Sequence, residues 1–150
     1  MKPLRFHLLR LKRLRSQRSA ASATHAQTVA GRRQRLGRAS EQLAARFLRS
    51  RGYVIEETNV RFPVGEIDIV ARDGQTLCFV DVRSVSSMAW GGPLASITDQ
   101  KRRRLIRAAQ LYLQRRRVIP AETRFDVVGI HWVDGVKPIL ELVDNAFLAD

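Results

Sequence analysis

An α/β (α+β) domain built on one mixed central β-sheet flanked by helices is the fold class that the sequence predicts, and three observations carry it. Apolar residues recur at helical spacing in two stretches, about 35–51 and 98–116. Five shorter stretches alternate, or run apolar, in the manner of strands, three before the second helix and two after it. Two Asp-Gly dipeptides, Asp73-Gly74 and Asp134-Gly135, punctuate them where hairpins turn. Helix, three strands, helix and two strands in 150 residues of 45% hydrophobic content make one domain with one core.

Each element has its local reason. In the first helix Leu36, Ala39, Leu43, Ala44, Phe47 and Leu48 fall on one face, and Gly52 stands where a helix stops. YVIEETNV (53–60) alternates as a short strand, and EIDIVAR (66–72) and QTLCFVDVR (75–83) flank Asp73-Gly74 as a hairpin. A Gly/Ser/Pro loop, SVSSMAWGGP, follows. The second helix opens on Thr98 as N-cap with Asp99 in its first turn, and Leu105, Ala108, Ala109, Tyr112 and Leu113 form its apolar stripe. Tyr112 and Gln110 read as scaffold. TRFDVVGIHWV (123–133) and KPILELV (137–143) are the last strands, around Asp134-Gly135.

Charge is sorted along the chain. The net +13 comes largely from residues 1–40, which hold eleven basic side chains and no acidic one; residues 41–150 net only +2. Within these, residues 98–117 carry eight basic side chains against Asp99 alone. An anionic partner, nucleic acid or a membrane surface, is the expectation for such a balance. One cysteine, Cys78, excludes an intramolecular disulfide framework and a multi-cysteine zinc site, and points to a reducing, cytoplasmic setting. No apolar run reaches the roughly 18 residues that a membrane span needs.

Residues 1–35 are expected to be a separate basic arm, disordered or helical, ahead of a domain over 36–150. Leu4, Leu8 and Leu11 among Arg5, Arg10, Lys12 and Arg13 make a basic amphipathic stretch suited to a membrane surface or an anionic polymer. SQRSAASATHAQTVA after it has linker composition. The arm also has the acid-free, Arg- and Ser-bearing composition of an organellar transit peptide, but not the apolar core of a secretory signal. A plain solvated tail is the competing reading. His7 and His25 do not read as metal ligands.

The chemistry concentrates on the hairpin. A two-residue turn at 73–74 predicts a register in which Glu66 faces Asp81 and Asp68 faces Phe79. Alternation then sets Glu66, Asp68, Asp81 and Arg83 on one face, with Ile67, Ile69, Cys78, Val80 and Val82 on the other. Like charges opposite one another need a cation between them. A divalent cation meets that need, and Mg²⁺ prefers carboxylate oxygens, which makes Glu66, Asp68 and Asp81 the candidate ligands. A solvated acidic face paired with Arg83 is the alternative.

These residues resemble a known signature. Gly65-Glu66-Ile67-Asp68, twelve further residues, then Asp81-Val82-Arg83 is similar to the bipartite motif of restriction-endonuclease-like nucleases, in which an Asp on one strand and a (D/E)xK triplet on the next bind metal and activate water. More closely, the chain resembles the YraN family, proteins similar to Holliday-junction resolvases. The matching stretches are GRASEQLAARFLRSRGY, NVRFPVGEIDIVARDG, LCFVDVRS, ITDQKRRRLIRAAQLYL, RFDVVGI and DNAF, spanning about 36–148. The resemblance implies a restriction-endonuclease-like domain, Mg²⁺ at the carboxylates, a DNA substrate, and catalytic roles for Asp68, Asp81, Arg83 and Glu41, the last as the first-helix acid near such active centres. One departure is visible: the family usually has Glu-x-Lys where this chain has Asp81-Val82-Arg83. Arginine still stabilises charge on a phosphate, but it does not serve as a general base. Lys101 is a less favoured candidate for a displaced lysine.

Phosphate contacts are expected from Lys101, Arg102, Arg103, Arg104 and Arg107 in the basic helix, with DNA, branched or single-stranded, as the expected partner. Trp90 is a candidate for stacking on an unpaired base, or a packing residue. Trp132 and His131 receive no function. Three functional readings follow: a Mg²⁺-dependent endonuclease; a binding module on the same fold, silenced by Arg83; and a membrane-peripheral interaction protein led by the N-terminal stretch. The oligomeric state stays open, with a homodimer among the possibilities.

Overall fold

The structure is a computed structural model that describes residues 7–85 and 92–149. Its elements are α1 (His7–Ser50), β1 (Val54–Phe62), β2 (Gly65–Asp73), β3 (Thr76–Val85), a short 3-10 turn (Pro93–Ser96), α2 (Asp99–Arg116), β4 (Glu122–His131) and β5 (Ile139–Phe147). The chain forms two compact units, residues 1–38 and 39–150.

In the first unit, residues 7–38 are helical, so the arm takes the second of its two expected forms and the stretch with linker composition is helix. No proline falls between Pro3 and Pro63, and Ala, Gln, Arg and Leu, all good helix formers, dominate this stretch. The amphipathic pattern of Leu4, Leu8 and Leu11 lies outside the residues whose side chains are described, as does Trp90. Among the described residues no helix is long and apolar enough to cross a membrane.

The second unit is an α+β domain. Its five strands stand in the order β1-β2-β3-β4-β5. All neighbours are antiparallel except β3 and β4, which run parallel because the chain crosses over through α2 between them. Leu105, Ala108, Ala109 and Tyr112 of α2 pack on one face of the sheet, against Val60, Val70, Leu77, Phe79, Phe125 and Val127. Ala44, Ala45 and Leu48 of α1 cover the other face, against Ile69, Ala71, Cys78, Val80, Val128 and Ile130. The predicted stripe of α2 is therefore a face that closes the core, as is the part of the α1 stripe from Leu43 to Leu48, whereas Leu36 and Ala39 are exposed. Helix α1 ends at the expected stop, where Gly52 N–H reaches Arg49 O (3.0 Å) and Tyr53 N–H reaches Leu48 O (3.1 Å).

The hairpin register differs from the expected one by two residues. Asp73 pairs with Thr76 and Val70 with Phe79, so the turn residues are Gly74 and Gln75 rather than Asp73 and Gly74. Gly74 takes φ 59° at the first turn position, the pattern of a Gly-first hairpin turn. The last strand pair toward the site is Ile69 with Val80. Beyond it the Asp68 side chain, not a strand carbonyl, accepts the Val82 amide. The expected alternation also breaks there: Ile69 packs toward α1, whereas Ile67 packs toward α2.

Candidate acid–base site on the central strands

Asp81 is the most deeply placed charge of the site, 2% exposed in the middle of β3. A buried carboxylate is costly unless it is paired. Arg83, two residues on and so on the same side of the strand, sets its Nε 2.6 Å from Oδ2. Lys101 sets its Nζ 3.1 Å from Oδ1. Lys101 reaches the site from the first turn of α2, where Thr98 caps the helix as expected, its Oγ1 accepting the Lys101 amide at 3.2 Å.

Asp68 lies beside this group, its Oδ2 accepting the Val82 amide at 2.7 Å. Burial, and then the negative charge of Asp81, push its carboxyl up to about 7; the Val82 hydrogen bond and Lys101 act against them, and Glu41 adds repulsion from α1. Asp68, Asp81, Arg83 and Lys101 are thus brought together, with the charge of Glu41 acting on Asp68.

Glu66 is not part of this group. It stands opposite Arg61 in the β1–β2 ladder, 3.4 Å from the Arg61 Nε, instead of facing Asp81. In the observed β2–β3 register it is Asp68, next after the Ile69–Val80 pair, that comes level with Asp81. Among the described residues no three of His, Cys, Asp and Glu gather as a metal-ligand group, so the expected trio of Glu66, Asp68 and Asp81 is reduced to two. The two that remain still suit a hard cation. Mg²⁺ commonly takes one or two carboxylates and completes its shell with water and substrate phosphate, and the charge that burial disfavours on Asp68 is one that a divalent cation relieves.

The five basic residues expected to meet phosphate divide into three groups. Lys101 turns inward to Asp81. Arg102 is half-buried, its guanidinium 5.7 Å from the Phe147 ring centre and its Nε buried without a hydrogen-bond partner. Arg103, Arg104 and Arg107 are exposed on the outside of α2. Gln110, read as scaffold, is exposed and accepts a hydrogen bond from Arg107, while Tyr112 is buried and donates to Glu57 at 2.8 Å.

Two polar clusters escaped the sequence reading. Ser40, buried next to Glu41, lies 3.1 Å from the Ser84 hydroxyl and accepts from Trp132 Nε1 at 3.3 Å. It ties the helix beside Glu41 to the strand beside Arg83. Partners 44 and 92 residues apart leave no local signal. Asp126, fully buried in β4, takes Arg124 Nε at 2.8 Å, the Tyr53 hydroxyl at 3.1 Å and the Asn145 amide at 2.9 Å. Its signal was present: Arg124-x-Asp126 inside an apolar strand mirrors Asp81-x-Arg83.

An α+β domain whose central strands hold two acids, an arginine and a helix-borne lysine at one place defines the class of protein. Residues 40–130 match the model of a family described as uncharacterised protein family UPF0102, and the chain belongs to that family. A UPF0102 protein of Desulfosudis oleivorans is 47% identical over 118 residues, covering 79% of this chain and 94% of its own. One from Symbiobacterium thermophilum is 44% identical over 115 residues, covering 77% and 98%. One from Geotalea uraniireducens is 41% identical over 112 residues, covering 75% and 88%.

Proposed function

We propose that this domain is a restriction-endonuclease-like, Mg²⁺-dependent hydrolase of phosphodiester bonds in DNA. The observation that carries this reading is the Lys101 ammonium on buried Asp81 beside Asp68, at the start of a helix whose outer side bears Arg103, Arg104 and Arg107. Asp68 and Asp81 would hold the metal. Bound there, Mg²⁺ supplies positive charge beside a phosphate and makes a nearby water more acidic.

The chain's own residues do the rest. Arg103, Arg104 and Arg107 hold the phosphate backbone by charge. Lys101 and Arg83 neutralise the charge that grows on the phosphate as water adds to phosphorus. The bond to one bridging oxygen breaks, that oxygen leaves as a hydroxyl with a proton from solvent, and the attacking water releases its proton to solvent. Lys101 supplies the cation that the resemblance expects from a strand lysine, so Arg83 need not exchange a proton.

Incubation of the full chain with branched and single-stranded DNA tests the reading. Mg²⁺-dependent nicking that is lost in Asp68→Ala, while binding persists, is the expected result. Binding without nicking at high protein concentration overturns it in favour of a second reading, a catalytically silent nucleic-acid-binding module. What favours that second reading is the Arg83 guanidinium, committed to Asp81 and permanently charged.

A further inference from the structure

A groove of about 480 Å³ opens between the β1–β2 turn and α2, lined by Arg61, Phe62, Pro63, Val64, Glu66 and Arg104 among others. It is continuous in the chain with the acid–base site: Gly65 and Glu66 lead along β2 to Asp68, and Arg104 lies one helical turn beyond Lys101. Its two sides differ in chemistry. The turn side is apolar, with Pro63 and Val64 exposed at the tip and the Phe62 ring behind them, held by the Arg115 guanidinium 4.8 Å from its centre. The helix side and the rim carry the cations Arg104 and Arg61.

Resting on the nuclease reading above, we infer that this groove is a subsite for a single-stranded stretch of the substrate, next to the bond that is cut. A nucleotide presents the chemistry the groove offers: an apolar base face for the exposed Pro63 and Val64, and a phosphate for the arginines. The volume falls in the range of sites that take molecules of about that size. Glu66 sets the direction. Its carboxylate repels a phosphate, so the phosphate lies toward Arg104 and the base toward the turn. Arg61 stays available, because its 3.4 Å pair with Glu66 leaves the arginine side chain 74% exposed, and such a surface pair is weak. The backbone of Gly65 runs against Arg104: a Cβ there would lie 3.4 Å from the Arg104 Cβ. The helix and the start of β2 are therefore in contact at the groove. A base-paired strand keeps its bases stacked inward and does not offer one to the turn, so the groove selects unpaired substrate.

Binding of labelled single-stranded and fully duplex oligonucleotides to the full chain, measured by fluorescence anisotropy at fixed salt, tests this. Asp68→Ala serves as the common background, which keeps hydrolysis out of the measurement. Arg61→Ala with Arg104→Ala is expected to weaken single-strand binding roughly tenfold, with a distinctly smaller loss for duplex. Arg46→Ala with Arg49→Ala, two exposed arginines of α1, removes the same charge outside the groove and is expected to have a much smaller effect. Arg61→Lys with Arg104→Lys is expected to restore most of the loss. An equal loss from the α1 pair, an equal loss for duplex, or no loss at all overturns the subsite. Failure here differs from failure of the nuclease reading. If Asp68→Ala abolishes Mg²⁺-dependent nicking while the groove variants bind normally, the subsite alone falls. If nothing nicks and the groove variants still lose single-strand binding, the nuclease reading falls and the groove stands as a site that binds single strands without cutting them.

Discussion

Lys101 and Arg83 divide the Asp81 carboxylate between them, the lysine Nζ 3.1 Å from one oxygen and the arginine Nε 2.6 Å from the other. The arginine comes from the same strand, and the lysine arrives from a helix 20 residues further along the chain. The acid thus fastens the start of α2 to β3, and the two cations have unequal work. Arg83 stays with the acid on its own strand, while Lys101 also ties it to the helix, and both side chains are partly exposed, at 27% and 34%.

Lys101→Ala is expected to lower stability by about 1–3 kcal/mol, the usual cost of losing a hydrogen bond to a charged group, as urea unfolding would measure. It is also expected to reduce Mg²⁺-dependent nicking by roughly a hundredfold or more. Lys101→Arg should recover the stability. If Lys101→Ala nicks normally while Arg83→Ala does not, the arginine is the working cation.

Asp68 links the site to pH. Its carboxyl, raised to about 7 from an ordinary 3.8, binds a proton more tightly in the folded chain than in the unfolded one. The cost of this group is therefore absent below pH about 4, grows as pH rises toward about 7, and is constant above that. Asp68→Asn should remove that part of the fall, worth on the order of a few kcal/mol in unfolding measurements across this range. Mg²⁺ should raise the melting temperature of the unaltered protein above pH about 7, and that of Asp68→Asn much less. An unchanged pH profile in Asp68→Asn would mean that the carboxyl is not strained.

Gly129→Ala is expected to be severely destabilising despite the small change. A Cβ at this β4 position would lie 2.1 Å from Cγ of Pro93, so the 3-10 turn after β3 packs directly on the strand backbone. Overpacking of this kind costs about 1–3 kcal/mol, and a lowered melting temperature reads it out. An unchanged melting temperature would show that the turn moves aside freely.

Arg117→Gly should do the opposite. Arg117 ends α2 at φ 52°, ψ 39°, a left-handed conformation that strains any residue with a Cβ. Its replacement is expected to stabilise the domain by up to about 1 kcal/mol in denaturant unfolding. A loss of stability instead would mean that the arginine side chain contributes more than the strain costs.

The order and type of the elements were legible because each is written locally. The stripe Leu105, Ala108, Ala109, Tyr112 and the Thr98 cap need only neighbouring residues to be recognised, and both appear where expected. Register was less legible. Asp73-Gly74 fixed the place of the hairpin, but which two residues form its turn depends on backbone geometry, and the two-residue difference brings Asp68 rather than Glu66 level with Asp81. The site was half legible for the same reason. Asp68, Asp81 and Arg83 share a motif, whereas Lys101 joins them only through the packing of α2, a contact across 20 residues with no periodic trace. The Ser40–Ser84–Trp132 and Asp126 clusters are equally non-local.

The parallel pair at the centre of the sheet has one more consequence. Asp81 stands opposite Val127 and Asp126 opposite Val80, so two buried acids sit one step apart on adjoining strands and serve opposite sides of the sheet. One meets Lys101 on the α2 side; the other meets Tyr53 beneath α1. If either strand slid by one residue, its acid would turn into the wrong apolar layer, away from its cations. A run of Val, Ile and Phe is permissive about alignment by itself. These two charges make misaligned versions of the sheet costly, so an acid of the candidate site and its buried neighbour together proofread the assembly of the fold.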